Sequence, residues 1–253
     1  DAARCIPARE LTEPRLVRGG RAVLFAVSAA GSSALQLVDL DDGTTATFAE
    51  VTGVRAGRGL GGGGWCELPG GESIVYVGGD GNLWWQPLSG GAPRQLTDEG
   101  PDRGAAAPAV SPDGANVAYV VDLAEVRVVP IGGGVSTRVD DGSADFVTDP
   151  VWSPAGDLEW VEWDVPDMPW DRARIGRVQR SSGRQEREEV SCSVQQIRFL
   201  RDGTRLSVRD DRGWANLHLD RRPLVDEPFE HAGPTWGPGQ RSYAVSPDER
   251  AVA

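Results

Sequence analysis

Ser111-Pro112-Asp113-Gly114, followed by Val117-Ala118-Tyr119-Val120, carries the pattern from which the architecture of the chain can be inferred. Proline presets φ for the first central position of a turn, aspartate bonds to its own backbone, and glycine accepts the positive φ that closes the turn. The β-branched and aromatic residues that follow favour a strand. This stretch therefore predicts a tight turn that leads into a strand.

The same combination of turn and strand recurs along the chain. Related turns are Arg18-Gly19-Gly20, Leu68-Pro69-Gly70-Gly71, Ser153-Pro154-Ala155-Gly156, Leu200-Arg201-Asp202-Gly203 and Ser246-Pro247-Asp248-Glu249. Their anchor positions, 20, 71, 114, 156, 203 and 249, are 42 to 51 residues apart. Most units contain a second turn, such as Asp42-Gly43 or Gly90-Gly91, with a short extended run on either side of it. Four strands in every unit of about 40 to 50 residues indicate a β-propeller.

A two-sheet sandwich is the competing fold, but a sandwich requires no repeat period, whereas this chain has one. No convincing stretch combines helical periodicity with helix caps. We therefore expect an all-β chain in which residues 1–253 form one β-propeller domain of four-stranded blades. About six repeats are visible, and we expect the last to be incomplete, ending within its first strand.

Composition and charge narrow the functional classes. The net charge is −12, and all 26 basic residues are arginine. An acidic domain repels phosphate backbones, which argues against nucleic-acid binding. The longest nearly apolar run, Ala22–Ala30, is far shorter than the roughly 20 residues of a membrane helix, so we expect no membrane partner. The first residues show no charged n-region followed by an apolar h-region, so we expect no signal peptide in this sequence.

The cysteines and histidines indicate structural roles. Cys5, Cys66 and Cys192 are odd in number and widely spaced, which fits neither a disulfide framework nor a zinc site. They favour a cytoplasmic location with buried thiols. His218 and His231 have no metal-ligand cluster beside them in the sequence. We expect no metal and no other cofactor.

The fourth unit departs from the regular repeat. Its two turn glycines, at positions 156 and 183, are farther apart than those at 71 and 91 or at 114 and 134. The added length includes Trp163–Asp171, which contains two tryptophans and two prolines. Such a stiff, apolar loop is a candidate contact surface. The alternative is a loop that folds over its own blade as a plug.

A second irregular stretch, Arg55–Trp65, is rich in glycine. A phosphate-binding P-loop requires a lysine and a following helix, and neither is present in this sequence pattern. Close backbone packing near the propeller axis is the expected role.

Several of these segments resemble bacterial serine peptidases of the prolyl oligopeptidase family, in particular the acylaminoacyl-peptidase or dipeptidyl-peptidase-like group. The most specific match is Leu158–Asp164 followed by Pro166–Asp171. Asp210–Leu217 and Gly233–Trp236, continuing to Gly239–Tyr243, resemble later blades. Relatives often carry His-Glu-Tyr before the glycine run, whereas this chain has Arg58-Gly59-Leu60 there, which puts a polar role of that loop in doubt.

The resemblance implies a propeller that caps an α/β-hydrolase domain and restricts entry to short peptides. In such enzymes a serine attacks the peptide carbonyl, a histidine acts as base and an aspartate orients the histidine. This chain has no Gly-x-Ser-x-Gly pentapeptide, so we expect it to carry no catalytic residue and to lack the hydrolase domain. The candidate contacts to substrate or to that domain are Trp163, Asp164, Trp170, Asp171, Gln240 and Arg241. Arginine suits a peptide carboxylate or carbonyl.

The alternative function is a stand-alone propeller that binds a protein or peptide partner. That function requires the ring to close without further sequence. An unfinished ring exposes a blade face and strand edges, so we expect self-association if the chain ends where this sequence does.

Overall fold

The computed structural model describes residues 9–29, 31–55, 63–100 and 102–253; Cys5 and residues 56–62 of the glycine-rich run lie outside this part. The described chain forms five four-stranded antiparallel sheets, numbered 1 to 5 along the sequence. Sheet 1 contains β1 (Glu10–Val17), β2 (Ala22–Ala29), β3 (Ser32–Asp39) and β4 (Thr45–Phe48), and sheet 2 contains β5 (Trp65–Glu67), β6 (Ser73–Val77), β7 (Leu83–Pro87) and β8 (Arg94–Gln95). Sheet 3 contains β9 (Ala105–Val110), β10 (Asn116–Val121), β11 (Glu125–Pro130) and β12 (Thr137–Arg138). Sheet 4 contains β13 (Phe146–Trp152), β14 (Leu158–Trp163), β15 (Arg174–Val178) and β16 (Gln185–Glu188), and sheet 5 contains β17 (Val194–Phe199), β18 (Arg205–Arg209), β19 (Asn216–Leu219) and β20 (Arg222–Pro223).

Each sheet is a meander in which strands adjacent in sequence are paired, and the predicted turns join them. In sheet 3, the Gly114 N–H donates to the Ser111 carbonyl at 2.8 Å. The Asp113 carboxylate accepts from the Ala115 N–H at 3.1 Å. Gly114 has φ +71°, a conformation that glycine adopts at little cost. The all-β fold of four-stranded repeats is thus confirmed, and in the described residues the helical structure is a single 3-10 turn, Arg18–Gly20.

The anchor turns join the first strand of each sheet to the second. The strand that follows an anchor in the sequence is therefore the second strand of its sheet. The sixth anchor obeys the same rule, because Val245 and Val252 form an antiparallel bridge around Ser246–Glu249. Glu249, which stands where the other turns have glycine, has φ +58°. The last residues therefore begin a sixth repeat.

The sheets pack face to face in sequence order. In β6, Ile74 and Tyr76 pack toward sheet 1, whereas Val75 and Val77 pack toward sheet 3. This division follows from the alternation of side chains along a strand. Similar clusters join sheets 3 and 4, sheets 4 and 5, and sheet 5 and the last hairpin, where Tyr243 is buried. Sheets 2 to 5 thus bury both faces, as propeller blades do, whereas sheet 1 buries the face that packs on sheet 2.

The first strands of neighbouring sheets approach one another and mark the axis of the arrangement. Four of them contain a residue in the left-handed conformation where the strand register shifts. These axial bulge residues are Glu13, Ala107, Asp149 and Gln196, with φ between +50° and +56°. In sheet 2, Gly63 (φ +83°) lies in the corresponding region, where an added Cβ would be 3.1 Å from the Pro238 carbonyl oxygen. The described end of the glycine-rich run therefore packs closely at the axis, as the sequence predicts.

Part of the interface between sheets 4 and 5 is formed by charged side chains. Glu159 is almost fully buried and forms an ion pair with Arg205 at 2.8 Å. Burial raises the pKa of Glu159, and the Arg205 guanidinium opposes this rise. Arg205 also contacts Glu188 at 2.8 Å. This pairing compensates charges that would be costly to bury singly.

The turns between second and third strands lie at the end of the sheets opposite the anchor turns, because neighbouring strands are antiparallel. We call this end the loop face. It carries the long connection between β14 and β15, residues 164–173. No helix of the described residues has the length and apolarity needed to cross a membrane.

Candidate functional site

A cavity of about 200 Å³ opens on the loop face, bordered by sheets 4 and 5 and by residues 235–238. Its walls include the aromatic rings of Phe146, Trp163, Trp170 and Trp236. We call this cavity the tryptophan slot. Mostly apolar clefts with a few polar groups are the usual form of a ligand site.

The four rings form two pairs. Trp163 is the last residue of β14 and lies opposite Phe146, the first residue of β13. Their rings stack with centroids 5.3 Å apart and planes 19° apart. Trp170 and Trp236 meet at 4.5 Å with a 48° tilt. Trp163 is only 7% exposed, whereas Trp236 is 70% exposed, so one pair belongs to the core and the other lies toward solvent.

The connection between β14 and β15 is held in place by its carboxylates. Asp164 lies 2.5 Å from Arg174, and this guanidinium holds the pKa of Asp164 below its usual value. Asp164 also accepts a hydrogen bond from the Asp145 N–H at 3.1 Å. Asp171 accepts one from the Met168 N–H at 3.0 Å. These two predicted site residues therefore brace the loop that presents Trp170.

The connection between β14 and β15 is also joined to sheet 5 by a chain of hydrogen bonds. The Ser193 hydroxyl donates to the Pro169 carbonyl at 3.1 Å, and the Gln195 amide donates to the Ser193 hydroxyl at 2.6 Å. Gln195 Oε1 accepts from the Thr235 N–H at 2.8 Å. The chain connects the loop to the segment bearing Trp236, so the loop reaches beyond its own sheet and forms a wall of the slot.

Asp149 lines the slot, and its side chain is 2% exposed. It accepts a hydrogen bond from the Gly239 N–H at 2.6 Å and forms an ion pair with Arg241 at 3.1 Å. Gln240 accepts from the Trp236 N–H at 3.0 Å and donates to the Pro234 carbonyl at 3.2 Å. Gln240 thus shapes the Trp236 segment, and Arg241 neutralises the buried carboxylate.

The six predicted site residues therefore fall into two groups. Trp163 and Trp170 line the slot. Of the other four, Asp164, Asp171 and Gln240 hold the walls in place, and Arg241 pairs with the buried charge of Asp149. Their contacts to a ligand or a second domain stay predictions. Sequence reasoning missed Thr148, Asp149 and Thr235 as lining residues, and it placed Trp236 only within a family segment. The repeat contains one indication of Asp149. It lies seven residues before anchor 156, and Glu13, another acidic residue, lies seven residues before anchor 20.

The histidines take structural positions in the described chain. His218 is 1% exposed, and its Nε2 lies 3.2 Å from Asp211. His231 lies 2.7 Å from Glu227. Among the residues of known position, no group of three or more His, Cys, Asp or Glu side chains is arranged to hold a metal ion.

Repeated four-stranded antiparallel sheets around a shared line of first strands define a β-propeller fold. The chain is similar to puromycin hydrolase, a peptidase of the prolyl oligopeptidase family, with 25% sequence identity and a TM-score of 0.72. The match covers 92% of this chain and 42% of puromycin hydrolase, and it lies in the propeller portion. The resemblance to this family is thereby confirmed, and the chain spans less than half of that enzyme's length.

More distant structures share the fold alone. A putative TolB from Agrobacterium tumefaciens matches with a TM-score of 0.57 and 19% identity, over 81% of this chain and 72% of its own. An oligogalacturonate lyase in complex with manganese matches with a TM-score of 0.57 and 15% identity, over 86% and 62%. No protein-family model and no curated protein sequence matches the chain.

Proposed function

We propose that this chain is the substrate-gating β-propeller part of a serine peptidase that hydrolyses short peptides, with the catalytic triad on an α/β-hydrolase domain outside the chain. The tryptophan slot is the observation that carries the proposal. Its loop wall is the segment with the most specific resemblance to the family. The likeness to puromycin hydrolase supports the same assignment.

The slot suits one side chain of a peptide. Its rings offer apolar surface for burial, and aromatic residues of this kind dominate the energy of many interfaces. Arg241 lies beside the slot through its contact with Asp149, and 35% of its side chain is exposed. The exposed part of its guanidinium is suited to a carbonyl or a carboxylate of the peptide backbone. The side chain in the slot and the backbone on Arg241 would together orient a short peptide on the loop face.

Calorimetric titration of the purified chain with short peptides that contain an aromatic residue tests the slot. We expect Trp170→Ala to weaken binding by at least about tenfold, as loss of a central aromatic contact does. Trp214→Ala is the matched control, because Trp214 is 42% exposed and belongs to another turn of the loop face. Equal affinities of the Trp170→Ala variant and the unchanged chain would contradict the proposal.

A hydrolysis assay with acyl- and dipeptidyl-anilide substrates tests the location of the triad. We expect no turnover from the 253-residue chain. Turnover by this chain would show that the catalytic residues lie within it and would overturn the assignment of the chemistry to another domain.

A further inference from the structure

Three arginine side chains are grouped near the axis, and we call them the axial arginines. Arg15 and Arg198 lie at equivalent points of sheets 1 and 5, each two residues after an axial bulge residue, Glu13 or Gln196. Arg241 lies on the segment between sheet 5 and the last hairpin. Like charges placed close together are unfavourable unless negative charge balances them.

Contacts across the axis bring Arg15 close to Arg241. Arg15 donates to the Trp65 carbonyl at 3.0 Å and lies over the Trp65 ring at 4.8 Å. Gly63, two residues before Trp65, packs against Pro238, three residues before Arg241. Burial lowers the pKa of Arg15, and the positive charge of Arg241 lowers it further. The two guanidinium groups therefore repel each other, and an anion near both would relieve that repulsion.

Tyr243 links Arg198 to the same group. Its hydroxyl donates to the Gln196 carbonyl at 2.5 Å, which places the phenol beside the axial bulge of sheet 5. Burial raises the pKa of Tyr243 to about 12, and the positive charges of Arg241 and Arg198 oppose this rise. Arg198 is exposed and forms no hydrogen bond or ion pair within the part of the chain that the structure describes.

The axial arginines keep donors that a ligand can reach. The side chains of Arg15 and Arg241 are 40% and 35% exposed. Arg241 bonds to the described residues only through Nη1, whereas a guanidinium carries five N–H donors. Arg15 is accessible and yet has its pKa lowered by burial, which is the environment of a recess rather than of an outer surface.

The two carboxylates beside the axial arginines are buried and already bonded to protein. Asp149 accepts from the Gly239 N–H at 2.6 Å as well as from Arg241. Glu13 accepts from the Gly64 N–H at 3.0 Å and lies 3.7 Å from Arg15. Three guanidinium groups thus face two carboxylates among the residues of known position, which leaves accessible positive charge beside the tryptophan slot.

We infer that the axial arginines bind the free C-terminal carboxylate of a short peptide whose aromatic side chain occupies the tryptophan slot. This inference rests on the proposed function, and it names the end of the peptide that the propeller holds. Guanidinium groups form short, charge-assisted hydrogen bonds with carboxylates. Arg241 is the axial arginine nearest the slot, because its partner Asp149 lines the slot.

The position of Arg241 favours the C-terminus over an acidic side chain. Because the aromatic side chain fills the slot, the part of the peptide that passes Arg241 is the backbone. The backbone carries a negative charge only at its C-terminus. An extended residue spans about 3.5 Å, so a C-terminus one or two residues beyond the slot reaches Arg241.

Calorimetric titration of the 253-residue chain with acetyl-Ala-Phe-Ala and with the amide of the same peptide tests the inference. The two peptides differ only in the charge of the C-terminus. We expect the free acid to bind about tenfold more tightly, because a charge-assisted hydrogen bond replaces a neutral one. The difference should shrink as salt is added, since the arginines are partly exposed. Acetyl-Ala-Phe-Glu amide, which carries its carboxylate on a side chain, should bind as the alanine amide does.

Variants of the axial arginines show which charges matter. Arg15→Gln and Arg198→Gln should each reduce the preference for the free acid by about threefold, as loss of a partly screened charge does. The affinity for the amide should stay unchanged, and it reports whether the slot of each variant is intact. Arg221→Gln is the control, because it removes the same charge from a side chain that is 77% exposed between the outer strands β19 and β20.

The comparison of acid and amide on the unchanged chain does not depend on how the variants fold. Equal affinities for the two peptides overturn this inference and leave the slot as proposed. A preference for the acid that persists in the doubly substituted Arg15→Gln/Arg198→Gln chain also overturns it. Binding of the glutamate peptide as tightly as the free acid overturns the assignment to the C-terminus. Failure of every peptide to bind overturns the proposed function itself.

Discussion

Substitution of Asp149 by asparagine tests whether the buried contact between sheet 4 and the segment after Gly237 stabilises the fold. Asparagine matches aspartate in size, and both residues tolerate the left-handed conformation of this position, φ +50°. Asp149→Asn weakens one charge-assisted bond, to the Gly239 N–H at 2.6 Å. It also removes the negative charge that forms an ion pair with Arg241 at 3.1 Å.

The magnitude follows from these two contacts. A charge-assisted hydrogen bond contributes about 2 kcal/mol and a neutral one about 1 kcal/mol. The bond from Gly239 therefore loses about 1 kcal/mol. The ion pair with Arg241 is worth about 1 kcal/mol, between the values for exposed and buried pairs, because the arginine is 35% exposed. We expect the free energy of unfolding to fall by about 2 kcal/mol.

Asp122→Asn is a matched control, because Asp122 has the same kinds of contact as Asp149 but is more exposed. Asp122 also has a positive φ, +54°, and also accepts a glycine N–H, from Gly104 at 2.9 Å. It also contacts an arginine, Arg103, at 2.9 Å, but its side chain is 41% exposed. Because solvent screens exposed pairs, this substitution should cost less than about 1 kcal/mol.

Urea unfolding followed by tryptophan fluorescence measures both variants. The slope of the transition should stay constant, so that the midpoint reports stability. Equal losses for Asp149→Asn and Asp122→Asn would refute the reasoning, since burial is the main difference between the two sites. A double-mutant cycle with Arg241→Gln should return a coupling of about 1 kcal/mol between Asp149 and Arg241.

Three further outcomes follow from the packing. Trp163→Ala should cost about 3–5 kcal/mol in urea unfolding, because it removes a buried ring stacked on Phe146. Arg205→Ala should cost about 2 kcal/mol in the same assay, because it removes the nearer cation of the buried Glu159 carboxylate and leaves only Arg177, at 3.9 Å. Burial raises the pKa of the Cys66 thiol to about 12, so that mass spectrometry should detect no carbamidomethylation of Cys66 by iodoacetamide at pH 8 in the native chain and full modification in urea.

Each of these outcomes has a control. Trp236→Ala removes a ring that is 70% exposed and should cost less than about 1 kcal/mol. Arg221→Ala removes a side chain that is 77% exposed and should also cost less than about 1 kcal/mol. Losses as large as those of Trp163→Ala or Arg205→Ala would contradict the assigned burial. Rapid modification of Cys66 in the native chain would contradict the raised pKa of this partly buried thiol.

The repeat could be predicted from the sequence because turn chemistry is local. The φ of Gly114 and Gly203, +71° and +89°, follows from the position of each glycine in its own short turn. The sequence could not show which pair of strands each turn joins, because a Pro-Asp-Gly turn closes any hairpin equally well. The unit inferred from the anchors therefore begins one strand later than the sheet in the structure.

The slot could be predicted only in part. Trp163 and Trp170 can be predicted because they belong to the stretch Trp163–Asp171, where the added length interrupts the period, although Trp163 itself ends β14. Trp236 and Thr235 reach the slot from more than 60 residues farther along the chain, and Asp149 meets Gly239 across 90 residues. No spacing rule predicts such contacts, because they depend on how neighbouring sheets dock. Asp164 and Asp171 were predicted as contacts, but their visible role is local, since both bond within or beside their own loop.

The axial bulge residues share a backbone conformation but differ in side-chain chemistry. Glu13, Ala107, Asp149 and Gln196 share one conformation, yet they comprise an acid, a methyl group, a second acid and an amide. A bulge interrupts the alternation of side chains along its strand, yet all four of these residues are buried. A substitution at one of these positions therefore changes the buried polarity around the axis, and its cost is set by the contacts of that side chain, as for Asp149 with Gly239 and Arg241.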